Sequence, residues 1–143
     1  MTIDRELVTR KLALILADLS AVSEMAGHAS DEFLRDRLLQ AAAERVLERI
    51  IGRMIDINYH LITGSSHPPP ADYFTSFLKL ADLAILDRAF AERLAPSAGL
   101  RNRLVHEYDE IDPAKVFEAI ARTQPDVIVY ARAIEKHLSA LEQ

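Results

Sequence analysis

Cysteine is absent from the 143 residues, which excludes disulfides, thiolate metal sites and cysteine nucleophiles. Glycine is scarce, with four residues, and no strand-like alternation stands out. The five histidines lie singly, with no metal-ligand spacing between them. There is no phosphate-binding loop, dinucleotide fingerprint or nucleophile elbow, and no internal repeat. No apolar run approaches the roughly 18 residues that a bilayer span needs, and the start of the chain shows no basic-then-apolar export pattern. These absences predict a soluble, cytoplasmic protein with no membrane association and no metal or cofactor. Excess positive charge is missing too. Lysine and arginine total 17 against 22 acids, a net charge of −5, which argues against a general salt-driven nucleic-acid binder.

What is present is hydrophobic and helical. Half of the residues are hydrophobic, and a chain of this length buries about 70% of its unfolded surface, so one domain over 1–143 is expected. Val8, Leu12, Ile15, Leu19, Val22 and Ala26 step by four and three, drawing the stripe of a first helix between an Asp4 N-cap and Gly27. A second helix is predicted over about 31–62 with two adjacent stripes. One holds Leu39, Ala43, Val46, Ile50, Ile57 and Leu61, the other Leu47, Ile51, Met54, Ile55 and Ile62. So wide a face suits either a helix central to a bundle or a subunit interface.

Residues 64–70 (GSSHPPP) form a loop, because three prolines cannot continue a helix. Asp72 then caps a short helix holding Tyr73, Phe74, Phe77, Leu78 and Leu80, its aromatics expected in the core. Another helix spans about 86–106 with a break or kink at Pro96. Asp112 and Pro113 start the last helix, expected to bend at Pro125. The fold class expected is therefore all-α, an antiparallel four-helix bundle plus one short helix. The mixed-sign groups around Arg35–Arg37 and Arg45–Arg49 read as a solvated, salt-bridged face, and His28, His67 and His137 as solvated positions.

Charge is unevenly spread. Between Asp87 and Arg103, four arginines face two acids, and an acidic stretch of Glu107, Asp109, Glu110 and Asp112 follows. Next to that boundary, Arg101, Asn102, Arg103, His106 and Tyr108 lie within eight positions. Histidine suits proton transfer near neutral pH, and arginine offers a permanently charged fork for phosphate oxygens. His106 would act as base or acid on a 2′-hydroxyl or leaving oxygen, and Arg101 would stabilise charge on the phosphate. Asn102 lies one turn above His106 and can orient its ring. Arg101 and His106, five apart, diverge by about 140° on an ideal helix. To share one phosphate, they need the helix to unwind near His106 or a second chain to complete the site. The second stripe of the long helix favours a homodimer with a composite site. An arginine and a histidine near a helix end also suit the helix dipole with no chemistry at all.

The run from Gly99 to Tyr108, followed by Ile111 and Asp112, resembles the signature of HepT-like proteins in the HEPN superfamily: Arg, a polar residue, three more residues, His, any residue, Tyr. Glu44, Arg45, the stretch 56–62 and the proline-rich loop before Tyr73 and Phe74 extend the resemblance over most of the chain. It implies a metal-independent RNA endonuclease toxin, a homodimer with Arg101, Asn102 and His106 at its site. It also implies a cognate nucleotidyltransferase antitoxin that silences the toxin by adding AMP to Tyr108. The chain departs from the family in placing Tyr59, not asparagine, before His60, with Asn58 one position earlier. Asp56 and His60 either pair toward the site or lie on the surface. The rival functions are a non-catalytic helical subunit that binds a nucleotide or a nucleotidyltransferase, and a purely structural interaction domain.

Overall fold

The computed structural model describes residues 2–107 and 110–142, and among these it is all-helical. Its helices are α1 (Arg5–Ala26), α2 (Ser30–Arg35), α3 (Arg37–Gly64), α4 (Tyr73–Asp82), α5 (Arg88–Leu94), α6 (Ser97–His106) and α7 (Pro113–Ala140). The long helices α1, α3 and α7 pack on one another, while α4 and α6 close over α3. Aspartate sets most of the boundaries. Asp4, Asp36, Asp72, Asp87 and Asp112 each accept a hydrogen bond from a first-turn N–H of the helix that follows.

Among the described residues there are seven α-helices where five helices were expected, because two predicted helices are each divided. Asp36 leaves the helical conformation, with φ −109° and ψ 96°, and caps α3. The resulting turn lets α2 swing Phe33 into the core, 5.0 Å from the ring of Phe117, while Gln40 Nε2 donates to the Phe33 carbonyl at 2.9 Å. Pro96 separates α5 from α6, since it has no N–H with which to continue the helix. Pro125, in contrast, lies within α7 without ending it.

α3 is the central helix, and its wide apolar face is covered within the chain. Ala43, Leu47, Ile50, Ile51, Met54, Ile55, Ile57, Leu61 and Ile62 are buried, with Leu39 and Val46 half-buried, against α1, α4, α6 and α7. Burying each large side chain contributes about 1.5–3 kcal/mol, enough to hold both stripes inside. The second stripe therefore offers no spare surface for a partner. Asp18 ties α1 to α3 through Arg53 at 2.7 Å and Arg49 at 3.1 Å. Arg45 pairs with Glu48 within its expected group, whereas Asp36 is spent on its cap and Arg35 pairs with Asp31 instead. No helix among the described residues is long and apolar enough to cross a membrane.

His137 departs from its expected solvated setting. It is half-buried on α7, its Nε2 lacks a hydrogen-bond partner among the described residues, and burial lowers its pKa. Asp87, Arg88 and Lys136 line the same shallow hollow. A histidine of depressed folded pKa takes up its proton more readily when unfolded. Its stabilising contribution is therefore complete above the ordinary value of 6.5 and is lost as pH falls through 6.5 toward the lowered value. The urea midpoint is expected to drop between about pH 7.5 and about pH 5.5, and His137→Gln to shrink that drop. An equal drop in the variant would show that His137 does not contribute.

Candidate functional site

α6 carries Arg101, Asn102 and His106, and it stays helical through His106. The helix therefore does not unwind to bring the pair together. Five residues along a regular helix separate Arg101 from His106 by about 7.5 Å of rise and about 140° of rotation. Asn102 and His106 share an exposed face one turn apart. The hydrogen bonds among the described residues include none between them. Tyr108 lies outside the described residues.

Arg101 is half-buried and turned toward α3 and α4. Its guanidinium lies over the ring of Tyr73, 5.3 Å from the centroid, a cation–π contact that contributes about 0.5–2 kcal/mol. Tyr59 of α3 meets that ring edge-on, with centroids 5.9 Å apart. Burial raises the Tyr59 phenol pKa, with Tyr73 and Asp72 adding to the rise. The route of the arginine side chain crosses α3 at Gly52, where an added Cβ would stand 3.8 Å from Nε. Nε itself is buried without a hydrogen-bond partner among the described residues. A glycine inside a helix costs about 1 kcal/mol against alanine, and at 3.8 Å the arginine still admits a methyl there, so the crossing excludes only larger side chains. The outer guanidinium nitrogens are thus carried on a stem fixed by an aromatic face and a helix backbone.

A buried polar chain supports this arrangement from below. The Tyr130 hydroxyl donates to Asn58 Oδ1 at 2.6 Å and lies 3.1 Å from the Met54 carbonyl oxygen. Asn58 Nδ2 donates to Ser76 Oγ at 3.0 Å, and Ser76 Oγ donates to the Tyr73 carbonyl at 2.7 Å. Asn58 and Ser76 are fully buried polar residues, and their bonds link α7 and α3 to the turn of α4 that presents Tyr73. Burial also raises the Tyr130 pKa well above its ordinary range, so the phenol remains a neutral donor.

Asp56 and His60 do not face the site. Asp56 pairs with Lys11 at 3.1 Å, and His60 Nε2 accepts the Asp4 backbone N–H at 2.8 Å, holding the start of α1. Phe77 lies in the core as expected, but Tyr73 and Phe74 are exposed by 38% and 46%, so their role is at the surface. Sequence reasoning missed Gly52, for which a lone glycine within a strongly amphipathic helix was the available signal. It noted Tyr59 only as a departure from the family pattern, and Tyr73 as an aromatic able to stack on bases but expected in the core.

The profile of the family described as Ribonuclease HepT-like matches residues 15–134. The chain is 36% identical over 141 residues to the tRNA nuclease HepT of Aphanizomenon flos-aquae, covering 99% of this chain and 96% of that protein. It is 25% identical over 138 residues to the mRNA nuclease HepT of Shewanella oneidensis, covering 96% and 92%. Among solved structures, the tri-AMPylated Shewanella oneidensis HEPN toxin in complex with MNT antitoxin gives a TM-score of 0.83 at 23% identity, covering 92% of this chain and 98% of that one. A cytosolic protein of unknown function from Bacillus subtilis, YutE, gives 0.86 at 18% identity over 98% and 94%. These two likenesses show the fold.

Proposed function

The chain belongs to the HepT-like ribonuclease family, and we propose that it is the RNA endonuclease toxin of a cytoplasmic toxin–antitoxin pair. The observation that carries the mechanism is the divergence of Arg101 and His106 on a helix that stays regular. The two groups meet at one phosphate when two chains pair, Arg101 coming from one and His106 from the other. His106 takes the proton of the 2′-hydroxyl while the 2′-oxygen attacks phosphorus. The bond from phosphorus to the 5′-oxygen breaks, and that oxygen takes a proton from water while protonated His106 returns its own to the solvent, giving a cyclic phosphate and a free 5′-hydroxyl. Arg101 carries the charge that builds on the non-bridging oxygens, and Asn102 supports the imidazole from one turn away. No step calls for a metal ion. Purified protein incubated with RNA and a chelator tests this directly: cleavage is expected in the wild type and not in Arg101→Ala. Absence of cutting in the wild type would favour a non-catalytic binding subunit.

The cognate nucleotidyltransferase antitoxin is proposed to silence the toxin by adding AMP to Tyr108. That places a bulky, negatively charged group two residues from His106, where it opposes the phosphate of an incoming RNA. Incubation with the antitoxin and ATP is expected to raise the intact mass by whole adenylyl groups and to stop cleavage. Tyr108→Phe should show neither change. A mass gain that survives this substitution would take Tyr108 out of its role.

Gly52 gives a separate test of the Arg101 setting. Gly52→Ala adds a methyl at ordinary contact distance, so stability is expected to rise by about 0.5–1 kcal/mol with cleavage retained. Gly52→Leu displaces the guanidinium, and cleavage is expected to fall by about 10²-fold or more while the chain still folds. Urea titration and RNA cleavage read the two effects. Full activity in the leucine variant would show that Arg101 does not need this path.

A further inference from the structure

We propose that the groove between α6 and α7 is an RNA subsite, seating one unpaired base on its apolar floor and the flanking phosphates on its basic rim. The proposal rests on the ribonuclease function above. The groove has a volume of about 360 Å³, within the range of small-ligand sites. Half-buried Leu100 of α6, with Pro96 and Pro125 exposed beside it, makes the apolar floor, and Ile51, Met54, Leu94 and Val127 are buried beneath. Arg93, Arg103, Lys115 and Arg122 stand around it with Glu118 and Asp126. Arg93 and Asp126 neutralise each other at 3.0 Å. The three remaining cations have no ion-pair partner among the described residues. With Glu118 counted, the rim keeps a net charge of +2, on a chain whose total is −5.

Position ties this groove to the proposed chemistry. Arg103 precedes His106 by three residues on α6, and its guanidinium reaches back along the helix, 3.5 Å from where a Cβ at Gly99 would stand, so the basic rim begins about two turns from His106. Lys115 and Arg122 lie two turns apart on α7, about 10.5 Å along its axis. A strand cut at His106 can therefore run back along α6 to place a phosphate at Arg103 and continue along α7. Single-stranded RNA is held in this way elsewhere, by bases on apolar surface and phosphates on fixed cations. A groove of this kind gives an acidic protein a local attraction for a short strand without making it a general nucleic-acid binder.

The test uses a fluorescent single-stranded RNA and the full chain carrying His106→Ala, with binding followed by anisotropy at several salt concentrations. Adding Lys115→Glu and Arg122→Glu is expected to weaken binding at least about tenfold and to flatten the salt slope by about 1.4, near 0.7 for each phosphate no longer neutralised. Arg132→Glu, an exposed charge elsewhere on α7, should change affinity less than about twofold, and a strand stripped of bases should bind about tenfold more weakly. An unchanged slope, a control that weakens as much, or an abasic strand that binds equally well would overturn the proposal. So would light scattering that shows the reversals splitting a dimer, because the groove would then be a seam between copies. The two claims fail separately. A chain with His106 intact that cuts RNA as before despite the reversals sinks the groove alone. A wild type that binds RNA through the groove but never cuts sinks the ribonuclease function alone.

Discussion

Arg101→Ala and His106→Ala are each expected to lower RNA cleavage by about 10²–10⁴-fold, and mixing the two inactive chains is expected to restore about a quarter of the wild-type rate. The restoration follows from symmetry. In a two-fold pair, one site takes Arg101 from the first chain and His106 from the second, and the other site takes the reverse. A mixed pair therefore has one site lacking both groups and one site with both intact. Random exchange makes half of the pairs mixed, so about one site in four is whole. If each site were built within one chain, every site in the mixture would lack one group and no activity would return. Cleavage measured after subunit exchange, against each variant alone, separates the two designs. A mixture as inactive as its components would remove the composite site.

The second large effect falls on stability. Asn58→Ala is expected to cost about 2–4 kcal/mol, lowering the thermal midpoint by roughly 5–15 °C. Asn58 joins Tyr130 of α7 to Ser76 of α4 in a site from which water is excluded. Its removal leaves the Tyr130 hydroxyl with the longer contact to the Met54 carbonyl and leaves Ser76 Oγ without its donor. Buried polar groups without partners pay their full desolvation cost, and a cavity adds to it. Tyr130→Phe leaves a smaller deficit, because Asn58 keeps its bond to Ser76, and should cost about 1–2 kcal/mol. Calorimetry of the two variants reads the difference. An Asn58→Ala midpoint equal to wild type would mean that the chain of bonds contributes nothing.

Much of the fold could be read from single residues because its boundaries depend on local chemistry. Asp4, Asp72 and Asp112 announce their helices, since a short carboxylate before an apolar period meets a first-turn N–H wherever the chain goes afterwards. Asp36 acts in the same way but sits between Arg35 and Arg37 in a continuous period, where an aspartate reads as one more solvated charge. The gain that settles it is the burial of Phe33 against Phe117, a contact between residues 33 and 117 that no local window contains. The motif around Arg101 was legible as a spacing, and so was its 140° problem. The setting of Arg101 was not, because Gly52 and Tyr73 approach it from two other helices. The two stripes of α3 allowed both a central helix and an interface, and only the packing of four neighbours against it decides for the first.

That packing bears on how the proposed site would assemble. Because α3 is covered within one chain, the composite site proposed for Arg101 and His106 would arise from an encounter between chains whose interiors are already filled. On that proposal, and while the chains are dilute, the number of complete cutting centres would grow as the square of their concentration. A few stray copies would then do little, and a modest surplus over the proposed antitoxin would do much more.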